Sequence, residues 1–93
     1  MICSFSCKET ERVWIGDVSM KFPYTIQQTV RRKLVHIDSA VAINDLRVPP
    51  GNRLEKLKGN LNGYYSLRIN SQWRIIFKWA KGNVFDVAVI DYH

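Results

Sequence analysis

The last third of the chain alternates between strand-like runs and short turns, and this feature most limits the folds it can adopt. Three runs rich in β-branched and aromatic residues, Tyr64–Ile69, Trp73–Trp79 and Val84–Tyr92, are separated by Asn70-Ser71-Gln72 and Ala80-Lys81-Gly82-Asn83. Connections this short join antiparallel neighbours, so the pattern predicts a meander. The last run has apolar residues at both its odd and its even positions, which face opposite sides of a sheet, and this is typical of a strand covered on both faces.

The hydrophobic period before these strands is helical. Ser6 and Glu9 have the spacing of a capping box, which predicts a short helix ending near Ile15, just before Gly16. Pro23 suits the first turn of a second helix. One apolar stripe follows it at spacings of three and four. The stripe consists of Ile26, Val30, Leu34, Ile37 and Val41.

Shorter elements complete the prediction. Met1–Phe5 is predicted to form a first strand, and Leu54 and Leu57 to belong to another short strand. Asp38 and Ser39 could cap a continuation of the second helix or a third short helix ending near Leu46. The length of 93 residues fits one domain, 1–93. The predicted class is α/β, more narrowly α+β, with the N-terminal helices packed on a mainly antiparallel sheet.

The net charge of +6 is concentrated in one part of the chain. Residues 47–81 hold eight basic residues and a single acidic one, Glu55, whereas the remainder has six basic and seven acidic residues. The eight are Arg47, Arg53, Lys56, Lys58, Arg68, Arg74, Lys78 and Lys81. An excess confined to one region favours a polyanionic partner bound there, although a charged surface that merely maintains solubility is the alternative.

The first hairpin can be placed in register from its apolar residues. If Asn70-Ser71-Gln72 is a three-residue loop, one face carries three apolar pairs. These are Ile69 with Trp73, Leu67 with Ile75, and Tyr65 with Phe77. The same register places Arg68 opposite Arg74 on the other face, followed by Ser66 with Ile76 and Tyr64 with Lys78.

Two arginines directly opposite each other on a sheet repel, unless an anion lies between them or each pairs with a carboxylate. Arginine matches phosphate geometry, and an aromatic side chain such as Tyr64 can stack on a base. The candidate carboxylates for the alternative are Glu55, Asp86 and Asp91.

The C-terminal Asp91-Tyr92-His93 brings titratable side chains to the end of the last strand. Metal-free RNA cleavage needs a base for the 2′-OH, a cation for the phosphorane and an acid for the departing 5′-oxygen. Arg68 and Arg74 suit the cation role. His93 suits the acid or base role, and Asp91 could be a base or could orient His93. Alternatively, His93 is a terminal residue with no role in catalysis.

No metal or cofactor is expected. The two cysteines, Cys3 and Cys7, and the two histidines, His36 and His93, are too few and too scattered for a metal site. The sequence has neither a secretory signal nor an apolar run long enough to span a bilayer, so we expect a cytoplasmic protein that is not bound to membranes.

The sequence resembles the HigB family of toxins, within the wider RelE/ParE-like superfamily. Five pieces in order carry the resemblance, which extends over the whole chain and is strongest over residues 54–93. They are Pro50-Gly51-Asn52-Arg53-Leu54-Glu55, Leu57-Lys58-Gly59, Tyr65-Ser66-Leu67-Arg68-Ile69-Asn70, Gln72-Trp73-Arg74-Ile75 and Asp91-Tyr92-His93. The resemblance implies a compact RelE-like α/β domain.

The resemblance also implies a function and a site. It implies a toxin of a type II toxin–antitoxin system that cleaves mRNA on the 70S ribosome. A HigA-like helix-turn-helix antitoxin would inhibit it and would link it indirectly to operator DNA. The implied catalytic residues are Arg68, Arg74, Asp91, Tyr92 and His93. The residues expected to bind substrate are Lys56, Lys58, Tyr64, Asn70 and Lys78.

Two other functions remain open at this point. A ParE-like toxin would poison DNA gyrase by binding and would cut no RNA. A nucleic-acid-binding co-repressor would use Arg68 and Arg74 for affinity alone. A gyrase poison needs no general acid, so the combination of Arg68, Arg74 and His93 in the sequence favours the ribonuclease.

Overall fold

Two α-helices precede the strands, as the sequence predicts. The computed structural model describes residues 1–92, and in it α1 is Lys8–Trp14 and α2 is Tyr24–Ser39. Gly16 stops α1 by adopting the left-handed φ of 94° that glycine accepts without strain. Pro23 is the residue that directly precedes α2.

The predicted capping box at α1 is wrong. Cys7 is the residue before the helix, and no side chain caps it. Ser6 Oγ instead donates to the carbonyl of Asp86 at 3.2 Å, and Glu9 Oε1 accepts from Ser19 Oγ at 2.7 Å. Both side chains therefore bond to residues distant in sequence, and short polar side chains readily exchange a local cap for such partners.

The apolar stripe of α2 forms the helical half of the core. Four of its five predicted members are buried, and Leu34 has no exposed surface. Val41, the fifth, is 84% exposed because α2 ends at Ser39. The backbone N–H groups of Val41 and Ala42 both donate to Asp45 Oδ2 at 3.0 Å. This carboxylate caps the predicted third short helix, a 3₁₀ helix spanning Ile43–Arg47.

Four strands form an antiparallel sheet in the order β1-β2-β3-β4. They are β1 Glu55–Lys56, β2 Tyr64–Arg68, β3 Trp73–Ala80 and β4 Asn83–Asp91. The predicted hairpin register is confirmed, from Arg68 opposite Arg74 to Tyr64 opposite Lys78. Short 3₁₀ helices at Pro50–Asn52 and Gly59–Leu61 flank β1.

The N-terminal segment, residues 1–6, lies beside β4 rather than forming a full strand. It makes two isolated parallel bridges, Ile2 with Val84 and Phe5 with Val87. The backbone N–H of Cys3 donates to the carbonyl of Val84 at 2.7 Å. The segment thus covers the outer edge of β4, and the sheet is mainly antiparallel as predicted.

The two faces of the sheet have different environments. The helices pack on one face, where Leu67, Ile75 and Phe77 join the main core. The opposite face, here called the arginine face, carries Arg68 and Arg74 and a small apolar cluster around Ile76 and Ala88. Buried residues of β4 occur in both clusters, which confirms that this strand is covered on both sides. No helix within residues 1–92 has the length and apolar character needed to cross a bilayer.

Candidate active site

Arg74 is the most deeply buried charged residue of the arginine face. It is 7% exposed, and its side chain extends from β3 toward β1, on the far side of β2. Nη2 donates to the carbonyl of Arg53 at 2.8 Å, and Nη1 lies 3.5 Å from Glu55 Oε1. The guanidinium is therefore fixed by contacts on the β1 side of the sheet, which gives it a defined position.

The left-handed backbone of Arg53 makes this contact possible. Arg53 follows the Pro50–Asn52 helix with φ 46° and ψ 57°, an unusual conformation for a side chain with a Cβ. Its carbonyl is the acceptor for Arg74 Nη2. The turn before β1 thereby supplies a hydrogen bond that the position of Arg74 in the sequence does not reveal.

Tyr92 completes the surroundings of Arg74. The guanidinium carbon of Arg74 lies 5.2 Å from the centre of the Tyr92 ring, within the range of a cation–π contact. The backbone N–H of Tyr92 donates to the carbonyl of Gln72 at 2.6 Å, which ties the end of the chain to the hairpin loop. The structure therefore brings together two of the predicted catalytic residues. His93, a third, lies outside the described residues.

Arg68 differs from Arg74 in having no countercharge within residues 1–92. The alternative in which each arginine pairs with a carboxylate thus holds for Arg74, through Glu55, and not for Arg68 in this part of the chain. Arg68 is half-buried and directly opposite Arg74. Among residues 1–92 the pair therefore has one ion-paired carboxylate, that of Glu55 on Arg74, which leaves an excess of positive charge.

Lys33 of α2 adds to this positive charge. Its Nζ donates to Asn52 Oδ1 at 2.6 Å, and Asn52 itself is buried. Burial lowers the pKa of Lys33, and the charges of Arg32 and Arg68 lower it further. The contact of Lys33 with this distant turn cannot be predicted from the sequence, because no local pattern encodes it.

A second group of predicted residues lies at the other end of the same face. Lys78 Nζ lies 5.1 Å from the centre of the Tyr64 ring and 3.5 Å from Asp86 Oδ2. Tyr64 and Arg68 are four positions apart on one strand, which separates them by roughly 13 Å. Tyr64 and Lys78 can therefore contact a ligand that extends along the sheet from the arginine pair.

Other predicted residues are positioned differently. The register places Lys56 opposite Tyr65 and Asp91 opposite Trp73, so both residues lie on the helix side of the sheet. Asp91 accepts a hydrogen bond from Gln72 Nε2 at 3.1 Å. Asn70 Oδ1 accepts from the backbone N–H groups of Gln72 and Trp73 at 2.8 Å each, so it shapes the hairpin loop. Exposed Lys58 precedes the Gly59–Leu61 helix.

Comparisons with known proteins agree on one family. Residues 4–93 match the family described as the RelE-like toxin of the type II toxin-antitoxin system HigB. Toxin HigB-1 of Vibrio cholerae serotype O1 is 43% identical over 83 residues, which cover 88% of this chain and 87% of that protein. Endoribonuclease HigB of Proteus vulgaris is 30% identical over 93 residues, the full length of both.

Solved structures agree with the sequence comparisons. The YoeB–YefM complex from Staphylococcus aureus has a TM-score of 0.63 and 27% identity, covering 100% of this chain and 95% of its own. A YoeB dimer from the same organism, 24% identical with a TM-score of 0.59, supports the fold. The predicted RelE-like fold and the predicted class, an endoribonuclease toxin with an antitoxin partner, are confirmed. This chain belongs to the HigB-like family of type II toxins.

Proposed function

We propose that this chain cleaves mRNA on the 70S ribosome, through attack of a 2′-OH on the adjacent phosphate. The observation that carries this proposal is the pair of arginines, with Arg74 held rigid and Arg68 without a countercharge in residues 1–92. Fixed cations aimed at a phosphorane stabilise the charge that develops in the transition state. The reaction would take place in the bacterial cytoplasm.

Each residue of the proposed site has a distinct role. Arg68 and Arg74 bind the scissile phosphate and stabilise the phosphorane. Tyr92, already in contact with Arg74, lies where it can pack on a nucleotide. His93, next to it in the chain, exchanges protons with the 2′-oxygen or the 5′-oxygen. Asp91 orients this chain end through Gln72.

Residues further from the arginine pair bind the rest of the RNA. Tyr64 and Lys78 form a stacking and phosphate-binding pair along the same face, and Lys58 and Lys33 extend the positive surface. Asn70 supports the hairpin loop rather than a nucleotide. The proposed site leaves out Lys56, because its register position lies on the other side of the sheet.

The partner of the toxin follows from the same reasoning. We propose a HigA-like helix-turn-helix antitoxin, which would also connect the toxin indirectly to operator DNA. The structural relatives in complex with YefM support an antitoxin partner in general, and the family match supports the HigA type.

The test is primer extension on an abundant transcript after induced expression in bacteria. The variants are wild type, Arg68→Gln and, as a matched control, Lys81→Gln in the distant β3–β4 turn, which removes the same charge. We expect discrete breaks from wild type and from the control, and roughly 100-fold fewer from Arg68→Gln, because a cation at the phosphorane is lost. The purified toxin should cut mRNA on ribosomes and leave naked mRNA intact.

Other outcomes would contradict the proposal. Growth arrest without breaks would favour the gyrase-poison alternative. Breaks of equal strength from Arg68→Gln would retain the ribonuclease and remove Arg68 from its site. A His93→Gln variant in the same assay separates catalysis from mere RNA binding, since a co-repressor has no use for a proton donor.

A further inference from the structure

Phe85 of β4 is a large apolar side chain that belongs to neither hydrophobic cluster of residues 1–92. The register pairs it with Lys78 of β3, and Lys78 is paired in turn with Tyr64 of β2. Residues directly opposite each other project from the same side of a sheet, so all three side chains lie on the arginine face. Phe85 is half-buried, and its ring contacts no other aromatic ring or cation in this part of the chain.

A β-bulge places Phe85 on this face. Between the Ile76–Ala88 pair and the Lys78–Phe85 pair, β3 has one residue and β4 has two. Asp86 lies in this bulge with a left-handed φ of 54°, which few residues other than glycine, asparagine and aspartate adopt. In a regular strand Asp86 would lie opposite Lys78, and Phe85 would turn to the helix side of the sheet.

The N-terminal segment holds the bulge in place. Ser4 Oγ accepts from the backbone N–H of Asp86 at 2.9 Å, and Ser6 Oγ donates to the carbonyl of Asp86 at 3.2 Å. Burial of apolar surface does not explain the bulge, because a regular strand would bury Phe85 in place of the smaller Val84, which lies in the main core. The bulge therefore presents an aromatic ring on the arginine face at the expense of burying it.

We propose that Phe85 binds RNA by stacking on an unpaired base, while Lys78 contacts the adjoining phosphate. Lys78 Nζ lies 5.1 Å from the centre of the Tyr64 ring and 3.5 Å from Asp86 Oδ2, so the ammonium is held next to Phe85. Single strands are bound by aromatic rings that stack on bases beside cations that follow the backbone. A base paired within a duplex cannot reach such a ring, so the ligand is single-stranded.

The arginine pair indicates which strand supplies the base. Lys78 is four positions from Arg74 on β3, roughly 13 Å away on the same face. A strand whose phosphate lies between Arg68 and Arg74 can therefore reach Phe85 with a nucleotide near the cut. This assignment to the mRNA rests on the proposed function. Stacking itself requires no cleavage and can be measured with RNA alone.

The first experiment measures the affinity for a short single-stranded RNA whose 2′-OH groups are replaced by fluorine, so that it cannot be cut. Phe85→Leu removes the aromatic ring and Phe85→Tyr keeps it, whereas Tyr24→Leu removes a ring that is 79% exposed on α2. By fluorescence anisotropy, we expect Phe85→Leu to bind about tenfold more weakly and the other two variants to bind like wild type. The same RNA in a duplex should bind wild type and Phe85→Leu equally.

NMR of the wild type tests the contact without any variant. The ring current of a stacked base should shift the ring protons of Phe85 upfield when this RNA is added. Ring protons that do not shift, or equal affinity of Phe85→Leu and wild type for the single strand, would overturn the proposal. An equal loss of affinity for the duplex would also overturn it, because stacking needs an unpaired base.

Cleavage on ribosomes identifies the source of the base. At limiting toxin, Phe85→Leu should cut an intact mRNA about tenfold more slowly than wild type. Removing one base near the cut should slow wild type to that rate and leave Phe85→Leu unchanged. If no position has this effect, ribosomal RNA supplies the base and the assignment to mRNA is overturned. A wild type that stacks RNA on Phe85 and cuts none would refute the proposed function alone.

Discussion

Arg74 depends on partners from two separate parts of the chain, the segment 53–55 and the end of the chain at Tyr92. An uncompensated buried charge is strongly destabilising, so a guanidinium that is 7% exposed requires nearby acceptors. The carbonyl of Arg53, the carboxylate of Glu55 and the ring of Tyr92 meet this requirement. Because these contacts also neutralise part of its charge, the half-buried Arg68 is the more accessible cation for an incoming phosphate.

Asn52 has a comparable role for the turns that support this site. It is 1% exposed, its Nδ2 donates to the carbonyls of Leu46 and Val48, and its Oδ1 accepts from Lys33. One amide thus connects the Ile43–Arg47 helix, the Pro50–Asn52 helix and α2. Asn52 is directly followed in the chain by Arg53, whose carbonyl accepts the hydrogen bond from Arg74.

We predict that Asn52→Ala lowers the free energy of unfolding by about 2–4 kcal/mol, since it removes the partner of one buried carbonyl, one partly buried carbonyl and a half-buried ammonium. Urea denaturation measures this effect. Asn44→Ala is the matched control, because exposed Asn44 bonds only to the side chain of Arg47 among the described residues. Its expected change is within about 0.5 kcal/mol. Similar values for the two variants would refute the assigned role of Asn52.

The elements differ in how far the sequence predicts them. The β2–β3 register is predictable because a slip by one residue would turn Leu67, Ile75 or Phe77 away from the main core. That register alone yields the Arg68–Arg74 pair. The prediction of a Ser6–Glu9 cap is wrong because both side chains bond to residues distant in sequence. The prediction that Val41 belongs to the buried stripe is wrong because α2 stops before it.

The remainder of the candidate site was hidden for the same reason. Glu55 was one of three possible carboxylate partners, and only the folded chain selects it for Arg74. Lys33 reaches Asn52 because α2 packs beside the 3₁₀ helices, a contact without local periodicity. Residues that act within one hairpin can be predicted from alternation, whereas residues that act between elements cannot.

The α2 stripe carries the main contact between helices and sheet, and it provides a stability test at the level of an element. Leu34 is fully buried, whereas its neighbour Val35 is 54% exposed. We predict that Leu34→Ala lowers the free energy of unfolding by about 2–5 kcal/mol through lost burial and a residual cavity. Val35→Ala should change it by less than about 0.5 kcal/mol. Chemical denaturation of both variants measures this, and a stable Leu34→Ala would contradict the packing.

At the scale of the whole molecule, the two faces of the sheet have different roles. One face packs against the helices and stabilises the fold, and the other is the proposed RNA-binding surface. The helices and the N-terminal half cover one face and sum to almost no net charge. The arginine face belongs to the region of residues 47–81, where basic residues exceed acidic ones by eight to one. The fold can therefore hold Arg68, Arg74 and Lys78 on one surface without introducing their charges into the main core.

This division predicts a salt dependence for RNA binding that a single charge can alter. For single-stranded RNA, the logarithm of the binding constant falls with the logarithm of salt concentration by about 0.7 for each phosphate contacted. If Arg68 contacts a phosphate, Arg68→Gln should reduce this slope by about 0.7 and weaken binding most at low salt.

A short RNA with a 2′-deoxy nucleotide at the cleavage position, titrated by fluorescence anisotropy at several salt concentrations, measures the slope without cleavage. Lys81→Gln removes an equal charge from a distant turn, so its slope should match that of wild type. An identical loss of slope in both variants would mean that the overall charge, rather than the arginine pair, attracts the RNA.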